Sequence, residues 1–205
     1  MNDLRVAVLL SGNGRTLQNL LDRHAAGSLP AQVVLVVSNR SDAYGLERAR
    51  LANVRTLVVP RKECDSAEEF CRRIFDACRG ERVNLVCLAG FLQFLPIPDD
   101  FHNRVLNIHP ALIPAFCGKG FYGERVHEAV LAYGAKVTGC TVHFADNEYD
   151  HGPIVLQRPV PVLDDDTVEI LAERVFAQEC EAYPEAIRLF AEGRLLIEGR
   201  RVRIR

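Results

Sequence analysis

The sequence predicts an α/β fold: a doubly wound, mainly parallel sheet with an antiparallel C-terminal portion. Three observations carry this. Apolar segments of strand character alternate with segments of helical period through the first half of the chain. A glycine turn follows the first strand and opens the first helix. Late in the chain, two strands joined by a loop and a short basic hairpin supply the antiparallel portion.

Taken in order, Leu4 to Leu10 is apolar nearly throughout, as a strand buried on both faces must be. Ser11-Gly12-Asn13-Gly14-Arg15-Thr16 is the turn, and Thr16 to Ala26 has helical period in Leu17, Leu20 and Leu21. A second strand runs from Val33 to Ser38, a helix from Asp42 to Ala52, and a third strand from Arg55 to Val59. Ser66 with Glu69 fits a capping box that opens a helix reaching Arg79. Leu85 to Leu88 is the fourth strand, and Glu124 to Tyr133 a further helix. Lys136 to Phe144 and Ile154 to Val160 are the late strands. A long amphipathic helix runs from Thr167 to about Glu192, and Pro184 is expected to bend or interrupt it. Leu195 to Arg205 reads as a hairpin around Gly199.

The bulk numbers exclude several classes. A formal charge of -2 in 205 residues argues against a general binder of nucleic acid or membrane surface. No apolar run approaches the roughly 20 residues that span a bilayer, and the N-terminus enters a strand with no secretory core before it. Seven cysteines, an odd number without a C-x-x-C pair, point to a reduced, cytoplasmic chain. Cys64, Cys71 and Cys78 are expected as small buried side chains along one helical face.

The chemistry centres on Val105 to Pro114. Side chains alternate along a strand, so Asn107 and His109 share a face where the strand ends at Pro110. An amide offers a fixed donor and acceptor, and imidazole is the group whose proton moves near neutral pH. A histidine that only braces a loop is the competing reading. The glycine turn lacks the third glycine of the dinucleotide fingerprint, Leu17 standing there, and the second strand ends at Asn39 and Arg40 with no acid placed for a ribose hydroxyl. That disfavours NAD and leaves a single phosphate or an unliganded tight turn. Phe91, Leu92, Phe94 and Leu95 either line a pocket for a flat ring or pack the core. The loop Ala145 to Pro153 fails the calcium pattern, so no metal is expected, but its Asp150 stands beside a glycine-proline turn that can hold it toward a site.

Several motifs together resemble the folate-dependent formyltransferases, and among them the glycinamide ribonucleotide branch of purine synthesis. They are Ser11-Gly12-Asn13-Gly14, Ser38-Asn39, Gly45-Leu46-Glu47-Arg48-Ala49 and Leu88-Ala89-Gly90-Phe91. Asn107-Ile108-His109-Pro110, Thr141-Val142-His143-Phe144 and Asp150-His151-Gly152-Pro153 complete the set, which covers nearly the whole chain. The resemblance implies the Rossmann-like formyltransferase fold in one domain, 1–205, with a phosphate-binding half at 1–100 and a catalytic, folate-binding half at 101–205. It implies transfer of a formyl group from 10-formyltetrahydrofolate, a co-substrate, to the amine of a phosphoribosyl glycinamide. By resemblance, Asn107, His109 and Asp150 are catalytic. Gly14, Arg15, Thr16, Asn107 and Glu179 bind the substrate. Leu92, Gln93, Phe94, Leu95, Asn107, Asp146, Asn147, Glu148, Tyr149 and Asp150 bind the folate. Asp150 in contact is expected to raise the His109 pKa above about 6.5. The partners implied are small molecules, with neither nucleic acid nor membrane, and a monomer or homodimer.

Two departures stand out. Asp65-Ser66-Ala67-Glu68 replaces the common Asp-Ser-Arg-Glu, and His151 stands where glycine is frequent. The alternatives are a formyltetrahydrofolate hydrolase using the same site with water, and a nucleotide-binding module. The hydrolase carries a further regulatory domain. The transfer-RNA branch of the family needs a basic C-terminal domain, which a chain ending at 205 is expected to lack.

Overall fold

The computed structural model describes residues 4–205, so the reading of the first three residues lies outside them. The chain divides into two units, the first ending at Leu106 and the second beginning at Asn107.

In the first unit, β1 (Leu4–Leu10) is wholly buried from Val6 onward, as its unbroken apolar run requires. β2 (Ala31–Ser38), β3 (Arg55–Val58) and β4 (Leu85–Leu88) join it in the order β3-β2-β1-β4, every pair parallel. The crossovers carry α1 (Arg15–Ala25), α2 (Tyr44–Leu51) and α3 (Ala67–Gly80). Leu17, Leu20, Leu46, Phe70, Ile74 and Phe75 are the helix side chains buried with the strands. Each contributes about 1.5–3 kcal/mol of transfer free energy. Strand order reverses at β1–β4, and such a switch point opens a crevice at the carboxyl ends of the two strands.

Local chemistry sets several boundaries. The Ser66 hydroxyl accepts the Glu69 N–H at 3.1 Å and caps α3, while the Glu69 carboxylate reaches back to the Asp65 N–H at 2.8 Å. α2 starts at Tyr44 rather than Asp42, because the Asp42 carboxylate takes two bonds from Arg40 and stays in the turn. The cysteine expectation needs correction. Cys78 is buried in α3, but Cys71 is only half-buried, and Cys64 lies before the helix begins.

The second unit orders its strands β5-β6-β7-β9-β8, where β5 (Val105–His109) carries the chain across the boundary. β6 (Val137–Phe144) and β7 (Ile154–Pro161) pair antiparallel, with a bulge that breaks the register between Val142 and His143. α4 (Glu124–Tyr133) precedes this pair and α5 (Val168–Ala191) follows it. α5 continues as one helix through the buried Pro184, so of the two expected effects, bend or interruption, the interruption does not occur. β8 (Leu195–Glu198) and β9 (Arg201–Ile204) form the hairpin that the tail predicts. No helix among the described residues is long and apolar enough to cross a membrane.

Candidate active site

Two sets of groups stand out, one in each unit. In the first, β1 delivers Ser11 and the glycine turn to its carboxyl end, and β4 delivers Ala89 to Leu95 to its own. The Ser11 hydroxyl joins them, accepting the Leu92 N–H at 2.8 Å and donating to Asn39 Oδ1 at 2.6 Å. Gly14 is the N-cap of α1, with φ of 75° and no side chain capping the helix. A Cβ there would lie 2.6 Å from the Gly45 Cα, so two glycines let α1 and α2 meet backbone to backbone. Arg48, on α2, grips the turn by donating to the Asn13 carbonyl and to Asn13 Oδ1, both at 2.9 Å. The exposed Arg15 and buried Thr16 open α1, where helix dipole and backbone N–H groups favour an anion.

The apolar strip divides. Leu95 is buried and Phe91 stacks on Phe70, whereas Leu92 and Phe94 are exposed and Gln93 is intermediate. Packing therefore claims part of the strip, and two large apolar side chains remain open to solvent. Ala67 is the first residue of α3, directly after the Ser66 cap.

In the second unit, Asn107, His109 and Asp150 come together. Asn107 Nδ2 donates to Asp150 Oδ1 at 3.3 Å and stands 3.0 Å from His143 Nε2. His109, 4% exposed, has Nε2 at 2.9 Å from the Phe116 carbonyl and Nδ1 at 3.7 Å from Asp150 Oδ2. The Gly118 N–H donates to the same Asp150 oxygen at 2.8 Å. Behind β5, the Thr141 hydroxyl donates to the Ala111 carbonyl and accepts the Ile113 N–H, and Gln157 bonds both Thr141 and the Ile113 carbonyl. This network fixes the segment that follows His109. Phe116 and Asp150 both hold positive φ, 49° and 51°, and such strain concentrates where geometry serves a site. Gly152 is required, since a Cβ would overlap the Phe144 carbonyl.

The electrostatics correct one expectation. Burial lowers the His109 pKa below the ordinary value, and the Asp150 carboxylate and Phe116 carbonyl do not restore it. Burial also opposes charge on Asp150, but its neighbours, the His109 imidazole and the Gly118 N–H among them, hold its carboxyl below the usual range. The resting pair is thus a neutral imidazole beside a carboxylate, not a pre-formed ion pair. At 3.7 Å the paired charge is too distant to offset desolvation of a side chain so enclosed.

The remaining candidates are dispersed over the 145–153 loop and α5. Asp146 is intermediate, whereas Asn147, Glu148 and Tyr149 are exposed. Asp146 accepts the Glu148 N–H at 3.0 Å and pairs with His151 Nδ1 at 2.8 Å. Arg200, in the β8–β9 turn, donates to His151 Nε2 and to the His151 carbonyl, both at 2.7 Å. The departure from glycine at 151 therefore ties the loop to the C-terminal hairpin. Glu179 is half-buried on α5; burial, with the Glu179 charge adding to it, pushes the Cys140 thiol up to about 12. Sequence reasoning assigned no role to His143 and Arg48, although both sit inside motifs it singled out. The signal for His143 was a polar ring two residues from Thr141 on an otherwise apolar strand. Among the described residues no three His, Cys, Asp or Glu side chains gather as a metal site would need.

Comparison with known proteins gives the family. A phosphoribosylglycinamide formyltransferase of Haemophilus influenzae is 39% identical over 95% of this chain and 90% of its own. The trifunctional purine biosynthetic protein adenosine-3 of Gallus gallus is 41% identical over 94% of this chain. The chain spans only 19% of that protein's length, and 62% of a chloroplastic phosphoribosylglycinamide formyltransferase of Vigna unguiculata. The crystal structure of glycinamide ribonucleotide transformylase 1 from Symbiobacterium toebii superposes with a TM-score of 0.93 at 49% identity, covering 99% of this chain and 94% of that one. The formyl transferase family model matches residues 4–187, which takes in the glycine turn, Asn107, His109 and Asp150, and the chain belongs to that family.

Proposed function

We propose that this protein transfers the formyl group of 10-formyltetrahydrofolate to the amine of 5-phosphoribosyl glycinamide, a step of de novo purine synthesis. The observation that carries the reading is the convergence of Asn107, His109 and Asp150 at the end of β5. Attack of the primary amine on the formyl carbon leaves its nitrogen positively charged with two protons, one of which must leave, and puts negative charge on the formyl oxygen. The Asn107 N–H that now rests on Asp150 donates to that oxygen, a contribution of about 3–4 kcal/mol for a preorganised donor. Neutral His109 accepts the amine's proton, its cation is stabilised by Asp150, and the proton passes to the departing folate nitrogen.

In this reading Gly14, Arg15 and Thr16 hold the substrate phosphate, and the Glu179 carboxylate attracts its amine. Leu92, Gln93, Phe94, Leu95, Asp146, Asn147, Glu148, Tyr149 and Asp150 are the candidates for binding the folate. Asn107 serves both ligands. The folate is consumed as co-substrate, and the chemistry requires no metal and no covalent nucleophile from the protein. Monomer or homodimer, the enzyme works in the cytoplasm, where its seven cysteines stay reduced.

Amine dependence tests the proposal against hydrolysis. Tetrahydrofolate should form from 10-formyltetrahydrofolate only when the glycinamide ribonucleotide is present, in equal amount with the formylated amide. Tetrahydrofolate and free formate produced without the amine would assign the site to a hydrolase.

A further inference from the structure

We infer that His143 is the positioning residue for Asn107, a ring that fixes which way the amide faces; this rests on the formyl-transfer reading above. His143 Nδ1 lies 2.9 Å from the Phe144 carbonyl oxygen, an atom that only accepts, so Nδ1 carries the ring's proton. In the neutral ring Nε2 is then a lone pair, and 3.0 Å from it stands the Asn107 amide. The Asp150 carboxylate, at 3.8 Å, is beyond hydrogen-bond reach of the same nitrogen. A flipped Asn107 would set its carbonyl oxygen against the Nε2 lone pair and also against Asp150 Oδ1, acceptor against acceptor twice. One orientation survives: Nδ2 gives one hydrogen to His143 and holds the other over Asp150 at 3.3 Å, ready for a developing oxygen.

The fold supplies the means. His143 is 1% exposed, and the β6–β7 bulge falls between Val142 and His143. The extra residue, Val155, lies on β7 opposite this step, and the β6 backbone carries the ring between its own chain's carbonyl on one side and Asn107 on the other. A buried imidazole with both nitrogens in use is costly to rotate, so the amide is preorganised before substrate arrives.

Ring nitrogen NMR on the unliganded protein, with the His143 signal identified by its loss in His143→Gln, reads the inference without any substrate. The expected spectrum is a neutral ring protonated at Nδ1 alone. In the amine-dependent assay, His143→Gln, whose amide oxygen can stand near Nε2, should keep most of kcat. His143→Leu, which offers no acceptor, should lose roughly 10²-fold in kcat with KM little changed, the scale of a misdirected donor. A ring protonated at Nε2, or an imidazolium at neutral pH, would overturn the inference. So would a folded His143→Leu as active as His143→Gln. The expected spectrum in a protein that releases formate without amine would uphold the role of His143 and overturn the formyl-transfer reading instead.

Discussion

Two buried imidazoles, those of His109 and His127, set how this fold responds to acid. Burial lowers both below the ordinary histidine value, and their mutual proximity adds to the shift of His127. As pH falls through about 6.5, the unfolded chain takes up protons that the folded chain refuses, so stability drops with falling pH. The contribution is fully present above that pH and is lost as pH descends through the lower folded-state values. Depression of Asp150 acts in the same direction at lower pH. Urea midpoints measured from pH 7.5 down to 5 should therefore decline in the wild type and decline less in His127→Gln. An equal slope in both would show that His127 takes no part. His127 Nδ1 has no hydrogen-bond partner, so the variant should not orphan a second group.

Elements bring these residues together, and the clearest case is the α2 grip on the glycine turn. Arg48→Met keeps most of the apolar stem and removes both bonds to Asn13. It should raise KM for the phosphorylated substrate several-fold while leaving kcat and the folate's KM nearly unchanged. An equal rise in both constants would separate the turn from the phosphate. Gly14→Val is a poorer probe, because its Cβ would drive α1 off Gly45 and perturb the fold itself. The hairpin offers a second test. Arg200→Ala breaks the latch on His151 and should raise the folate's KM by freeing the 145–153 loop. An unchanged KM with unchanged stability would leave that latch without a role in ligand binding. Strand and helix order was legible in sequence because apolar period and turn residues are local signals. The β6–β7 bulge and the Arg200–His151 latch were not, since both depend on register between segments distant in the chain. Pro184 does not interrupt α5, because its lost N–H is tolerated in a helix with buried residues on both sides of it.

Across the whole molecule, the parallel half presents the glycine turn and exposed apolar groups, and the antiparallel half brings the trio of Asn107, His109 and Asp150 together. Sequence identified the trio because Asn107 and His109 share a strand face by simple alternation. It missed the charge state of His109, since desolvation depends on how closely Phe116, His127 and β6 enclose the ring, which spacing does not reveal. The central claim is that His109 and Asp150 work as one unit during formyl transfer. A double-mutant cycle on kcat tests it, with His109→Asn, Asp150→Asn and the pair assayed at saturating substrates and melting curves confirming that each is folded. Each single variant should lose roughly 10²–10⁴ in kcat with little change in KM, and the double variant should lose little more than either. Losses that multiply in full in the double variant would contradict it.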